Sequence, residues 1–347
     1  MHRIRQLDGV RALAMIAVFL NHSMSMKLMW MGVDLFFILS GFLITGVLLD
    51  ARQHSLGQFF GQFYARRARR ILIPYVIFLA FGTLLVGTAW TQHWYFYVLL
   101  ANLLAPLNIP HPSMFDSLWS LAVEEQFYLA WPFAVYFLDK RHLRQICLFL
   151  IILAPVLRAS FHFAYHWPIY MLTPFRMDLL ATGALLCLEW RDRREEVEKW
   201  GARIGIPLSI VGVAILLLLS HFGYSTYGNS RIGNVFIYEA CLMVCLGFML
   251  YALGNLTTAW LKTPPITYIG KISYSMYLVH SAALYIVFPR IHGILGALIA
   301  FGLTVGYAAI SWHVLESRLL SRRHSASIAK PAAVKLGPQT DSSRSSN

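Results

Sequence analysis

The sequence predicts an all-α, polytopic membrane protein with about ten transmembrane helices. Of its 347 residues, 58% are hydrophobic and only 13% are charged, roughly half the charge of a soluble domain. Apolar runs long enough to span a bilayer recur along the whole chain. The 29 Lys and Arg residues gather in alternate connections, as the positive-inside rule demands of cytoplasmic loops. These features exclude a soluble single core, a disordered chain and a disulfide scaffold. The net charge of +13 follows from those loops, so no nucleic-acid partner is expected. Cys147, Cys187, Cys241 and Cys245 all sit in apolar runs. They read as small packing residues, not bridges or metal ligands.

In order, the predicted spans are 11–29, 33–50, 71–90, 116–138, 146–164, 169–190, 205–221, 232–253, 269–288 and 292–313. The first carries Arg11 and His22 and no small-residue cleavage site follows, so it reads as an uncleaved span rather than a signal peptide. The run at 95–109 is short and ends in prolines, which predicts a re-entrant or interfacial segment on the outer side. With ten spans and the N-terminus inside, 24 of the 29 basic residues are cytoplasmic. Lys27, Arg231 and Arg290 stay outside, and Arg158 and Arg176 lie within spans. The expectation is a protein of the inner (plasma) membrane with both termini cytoplasmic. Residues 1–320 would form one membrane domain, and the Ser-rich basic stretch 321–347 a disordered tail. Oligomeric state leaves no mark on the sequence.

Ionisable groups inside apolar spans are costly and point to function. This chain places His22, Asp34, Glu124, Glu125, Arg158, Arg176, Asp178, Glu239 and His280 there. Arg11 and His22 are about three helical turns apart, on one face and roughly 16 Å apart along the axis. That spacing puts Arg11 at the cytoplasmic mouth and His22 near mid-membrane. The bland alternative is a snorkelling arginine and a histidine bonded to its neighbour. Asp34, near the outer end of span two, could approach His22 and fix its tautomer, or serve as a helix cap. Ser40-Gly41 reads as a small-residue pair for close helix contact, ahead of a wall against a narrow ligand.

Arg66, Arg67, Arg69 and Arg70 precede span three. Such a cluster orients a span and binds lipid headgroups, but planar guanidinium forks also suit phosphates. Span four opens with Trp119, and Ser120, Glu124 and Tyr128 follow on one face. Glu125 lies about 100° round the helix. A carboxyl group in such surroundings is suited to proton transfer. Tyr274, Tyr277 and His280 share a looser face of span nine. Arg176 and Asp178, at the outer end of span six, could pair with each other's neighbours or contact a polar acceptor.

LDGVRALAMIAVFLNH, GVDLFFILSGFLIT, FYARRARRILIPY, SLWSLAVEEQFYLAWP and ISYSMYLVH follow one another in this chain. In motif, order and spacing they resemble the membrane-bound acyltransferase-3 family over about residues 6–320. The resemblance implies a ten-span O-acyltransferase that takes an acyl group, usually acetyl, from cytoplasmic acyl-coenzyme A. The acceptor would be a hydroxyl of a carbohydrate or glycolipid, often across the membrane. Arg11 and His22 match the family's essential Arg-x10-His pair, and Arg66, Arg67, Arg69 and Arg70 its coenzyme A-binding cluster. On this reading His22 is a general base or a transient acyl carrier, oriented by Glu124, Glu125 or Asp34. Trp119, Ser120, Tyr128, Arg176, Tyr274 and His280 would contact substrate, and no metal is needed. Membrane lipids are the other expected partners. The Glu316-Ser317-Arg318 ending lacks the proline that many relatives carry there, and the tail is too short for the C-terminal domain of some of them. The rival class is a transporter of an anionic or sugar-linked solute, but transporters show internal pseudo-symmetry and paired broken helices, and neither is visible. A membrane scaffold or sensor would not need His22 and two intramembrane glutamates.

Overall fold

The computed structural model describes residues 4–225, 229–254 and 257–318. The predicted tail at 321–347 lies outside the described residues. Among those described, the chain is all-α and contains no strand. The helices are α1 (Arg5–Met24), α2 (Met31–Ala51), α3 (Leu56–Val86), α4 (Leu118–Phe137), α5 (Lys140–Ser160) and the short α6 (Trp167–Met171). They continue with α7 (Met177–Asp192), α8 (Arg194–His221), α9 (Arg231–Gly254), α10 (Pro264–Val287) and α11 (Gly293–Ser311). With α6 set aside, ten long helices correspond one to one with the predicted spans.

Six of these, α2, α3, α5, α8, α9 and α11, are long and apolar enough to cross a membrane on those grounds alone. α7 has only 16 residues. α1, α4 and α10 carry the polar residues of the candidate site, which lower their hydropathy. The protein is a multi-pass membrane protein in which α3, α5, α8 and α11 expose apolar surface, while α2 and α9 are mostly buried. Leu84, Ile152, Leu217 and Ile294 are among the exposed apolar side chains, as lipid contact requires.

Three boundaries depart from the sequence reading. α1 begins at Arg5, so His22 lies in its last turn instead of near mid-membrane. α3 continues 15 residues toward the N-terminus of the expected span and carries the arginine cluster on its own surface. The sixth span is broken: α6 ends at Met171, a short 3₁₀ turn covers Thr173–Phe175, and α7 starts at Met177. Pro174 contributes to the break, because it lacks the N–H that would continue the α6 hydrogen-bond ladder, and Leu172 just before the turn is extended. Between α3 and α4, residues 87–117 form only short 3₁₀ turns. This segment tucks Trp90, Phe96, Leu104 and Phe115 into the core.

Ion pairs tie one end of the bundle together and locate it. Arg191 bonds Asp50 at the end of α2 at 2.6 Å, and Arg144 near the start of α5 bonds Glu189 and Asp192 at the end of α7, each at 2.6 Å. Arg5 donates to the Lys262 carbonyl at 3.3 Å. The start of α3 belongs to this same arginine-rich end.

The α2–α7 contact is made by glycines, as the Ser40-Gly41 pair suggested. A Cβ on Gly41 would sit 2.0 Å from the Leu180 carbonyl oxygen, and one on Gly183 would sit 1.9 Å from that of Ile38. Small residues let backbones approach this closely. Gly41→Ala is therefore expected to cost about 1–3 kcal/mol, read as a lower Tm in detergent. An unchanged Tm would mean that the two helices move apart freely.

Candidate active site

Two cavities of opposite character open toward opposite ends of the bundle. At the arginine-rich end lies a cavity of about 240 Å³. Into it project Arg11 from α1, Arg67 and Arg70 from α3, Ser40 from α2, and Glu124 and Tyr128 from α4. Ser40 Oγ donates to Glu124 Oε1 at 2.6 Å. Tyr128 donates to Ser40 Oγ at 2.8 Å and lies 3.3 Å from Glu124 Oε2. The Arg67 guanidinium stacks 4.1 Å from the Tyr128 ring centroid, and Arg11 lies 3.6 Å from Asp8. Three guanidiniums around one lining carboxylate give this end a strong positive bias.

The arginine cluster divides by helical geometry. Arg67 and Arg70, three residues apart, share the face that lines the cavity. Arg66 and Arg69 lie about 100° round the helix. Their Nε atoms donate to the Gln62 and Ala65 carbonyls of α3 itself, each at 3.0 Å.

The opposite cavity holds about 470 Å³. Trp30, Trp119 and Tyr170 give it aromatic walls, and Asn21, His22 and Asp116 are among its polar groups. Trp119 and Tyr170 pack at 4.8 Å between centroids. His22 is exposed to this space. Neighbouring residues on α4 thus face different cavities, Trp119 the aromatic one and Ser120 the arginine one. The Ser120 and Tyr277 hydroxyls are hydrogen-bonded to each other at the inner end of the arginine cavity.

The hydrogen bonds behind His22 assign its tautomer. His280 is fully buried, and its Nδ1 lies 2.6 Å from the Tyr277 carbonyl oxygen. A carbonyl only accepts, so Nδ1 carries the hydrogen. A second ring proton would create a fully buried cation, so His280 stays neutral and its Nε2 is an acceptor. His22 Nδ1 lies 2.8 Å from that Nε2 and must donate to it. The lone pair of His22 is left on Nε2, the nitrogen available to the aromatic cavity.

On the connection between α3 and α4, His111 Nδ1 lies 2.8 Å from the Ile109 carbonyl oxygen, and Nε2 lies 3.0 Å from Asp116 Oδ1. Both partners are acceptors, so both bonds form only when the ring is an imidazolium. Burial pulls the His111 pKa down, but the hydrogen bond and charge of Asp116 outweigh it and hold the pKa above the ordinary histidine value.

Arg11, Arg67, Arg70, Ser120, Glu124, Tyr128 and Tyr274, all expected at the site, converge on the arginine cavity. His22 and Trp119 line the aromatic one, and His280 stands behind His22 rather than in either cavity. Glu125 faces a separate groove beside Tyr64 and Gln126. Asp34 and Arg176 do not bond His22 and line neither of the two cavities. They form an ion pair with each other, both side chains fully buried. Close by, Arg158 bonds Asp178 at 2.7 Å and Glu239 at 2.5 Å. The network joins α2, α5, α7 and α9, where each intramembrane charge finds an opposite one. Sequence reasoning passed over three residues. Ser40 reads from sequence chiefly as a small contact residue, although a mid-span hydroxyl needs a partner. His111 and Asp116 stand in an aromatic, proline-rich connection with no periodic signal.

An acyltransferase-domain family model matches residues 4–315. The chain belongs to the acyltransferase-3 family. Within it, the chain is 30% identical over 317 residues to YrhL of Bacillus subtilis. It is 28% identical over 314 residues to the peptidoglycan O-acetyltransferase OatA of Listeria monocytogenes, and 26% over 310 residues to the O-acetyltransferase OatA of Staphylococcus aureus. These alignments cover 80%, 80% and 79% of this chain but 48%, 49% and 49% of the relatives. The chain spans about half the length of the curated relatives it matches. No solved structure gave a significant match.

Proposed function

We propose that this protein is a membrane O-acetyltransferase that moves acetyl from acetyl-coenzyme A to a hydroxyl of a cell-wall glycan. The donor would bind at the arginine end and the acceptor in the aromatic cavity. One observation carries the reading: α1 presents a phosphate-compatible arginine to one cavity and, three turns on, a histidine with its lone pair on Nε2 to the other. Family membership favours an enzyme over the transporter, and the names of the relatives favour acetyl as the group and peptidoglycan as the acceptor class.

In this reaction Arg11, Arg67 and Arg70 hold the donor phosphates, Arg67 and Arg70 as planar forks. The thin pantetheine arm would pass Ser120 and Tyr277, the hydrogen-bonded hydroxyl pair in the lining of the arginine cavity. His22 Nε2 takes the proton of the acceptor hydroxyl as that oxygen attacks the thioester carbonyl carbon. The C–O bond forms, the C–S bond breaks, and the leaving thiolate recovers the proton from His22. His280 fixes the ring for both transfers. Ser40 and Tyr128 orient Glu124 toward the arginines, and the buried passage limits hydrolysis of the thioester.

The test is purified protein in liposomes supplied with acetyl-labelled acetyl-coenzyme A and a soluble, neutral N-acetylglucosaminyl–N-acetylmuramoyl amide disaccharide, its lactyl carboxyl capped as an amide. Label on the sugar is expected, and its absence alongside intact donor binding would refute the acceptor assignment.

The proposed orientation places both termini and the arginine end in the cytoplasm of a cell with the protein in its plasma membrane. It is supported by the 24 of 29 basic residues on that side. A cysteine at Gln62, on the first half of α3, should stay unlabelled by an impermeant thiol reagent in intact cells and react after permeabilisation. Labelling in intact cells overturns the orientation.

A further inference from the structure

The charged pair His111–Asp116 takes no part in the steps above, yet Asp116 and His111 line the same cavity as His22. The His111 ring lies behind, 13% exposed, and the Asp116 side chain stands forward, 59% exposed. Both ring nitrogens of His111 are committed, one to the Ile109 carbonyl and one to Asp116. The imidazolium therefore acts as a fixed brace and offers no donor of its own to a ligand. Asp116 is also close enough for its charge to act on His22. A carboxylate accepts several hydrogen bonds and donates none.

The cavity around this carboxylate is walled by Trp30, Trp119 and Tyr170, whose rings pair apolar faces with polar tips. A pyranose ring is the matching shape. Its C–H faces lie on aromatic rings, while hydroxyl and amide hydrogens at its rim point outward to a carboxylate. Aromatic walls alone would accept any apolar group, and an exposed carboxylate alone would attract cations. Together, with the cation of His111 already balancing Asp116, they favour a neutral ligand rich in donors.

We propose that Asp116, braced by His111, is a positioning residue that grips a neutral, hydroxyl-rich pyranose by its rim donors and sets one hydroxyl against His22 Nε2. This rests on the acetyl-transfer reading and deepens it by naming the acceptor's chemical class and its handhold.

The experiment uses the full-length protein in liposomes and the same disaccharide, with two readouts. One is acetyl transfer, resolved into acceptor KM, donor KM and kcat. The other is disaccharide binding by quenching of tryptophan fluorescence, which needs no turnover. Asp116→Asn keeps size and removes charge. It is expected to raise the acceptor KM and the disaccharide Kd about tenfold or more, with donor KM unchanged and kcat altered less than the acceptor KM. His111→Gln should move the same two constants in the same direction by a smaller factor, and Asp116→Glu should recover part of the loss. Unchanged donor KM confirms that each variant is folded. Unaltered disaccharide binding in Asp116→Asn overturns the proposal, as does a fall in kcat with an unchanged acceptor KM. Wild-type protein that binds the disaccharide in an Asp116-dependent way but transfers no acetyl would refute the acetyl-transfer reading and leave the sugar site standing.

Discussion

His22→Gln is expected to lower acetyl transfer by about 10²–10⁴-fold, with expression, insertion and acetyl-coenzyme A binding unchanged. Glutamine keeps the length and a hydrogen-bonding end but offers no nitrogen that can take a proton near neutral pH. A histidine that served only to hold α1 against α10 would tolerate the change, since the Gln amide N–H could still donate to His280 Nε2. The tautomer chain adds a graded control. His280→Leu removes the acceptor that holds the His22 proton on Nδ1 and leaves that N–H unpaired. Part of the population then carries the proton on Nε2, where it blocks the base. The expected loss is smaller than for His22→Gln but larger than for a substitution elsewhere on α10. Near-normal transfer by His22→Gln would end the assignment and move the base to Glu124, the carboxylate held by Ser40 and Tyr128.

The sequence made the number and order of the long helices legible because each has to supply its own apolar length. It made Arg11 and His22 legible for a different reason, since both stand in an apolar run where a polar side chain needs a purpose. What it did not contain was pairing between helices. Asp34 and Arg176 are 142 positions apart, and nothing local says that α2 and α7 bring them together. Both were therefore assigned to the site, when each neutralises the other inside the bundle. His280 was placed against substrate for the same reason. Its bond to His22 spans 258 positions and depends on how α1 and α10 cross. Prolines were ambiguous. Pro74, Pro132, Pro155 and Pro207 all sit inside helices, where a bundle can satisfy the freed backbone groups, whereas Pro174 lies at the break in the sixth span. The arginine cluster was legible as a set. Its division into inward and outward pairs needed the rotation of α3 about its axis, which only packing against α4 and α10 sets.

That division yields the second large effect. The double change Arg67→Lys with Arg70→Lys is expected to raise the acetyl-coenzyme A KM about tenfold or more, equivalent to at least ~1.4 kcal/mol of donor binding. The same double change at Arg66 and Arg69 is expected to leave it within about twofold, the range of surface substitutions. Both double variants keep every positive charge, so the signal that orients α3 in the membrane is equal in the two proteins. What differs is geometry. Lysine replaces a planar fork with a point charge, which loses bidentate contact with phosphate and, at Arg67, the stacking over Tyr128. The outward pair already spends its Nε donors on the carbonyls of its own helix and does not line the arginine cavity. Tyr128→Phe separates the two losses at Arg67, because it keeps the ring under the guanidinium while removing the hydroxyl bonded to Ser40. Equal effects from the inward and outward doubles would make all four arginines topogenic charges, and the donor phosphates would then have to be held by Arg11 alone.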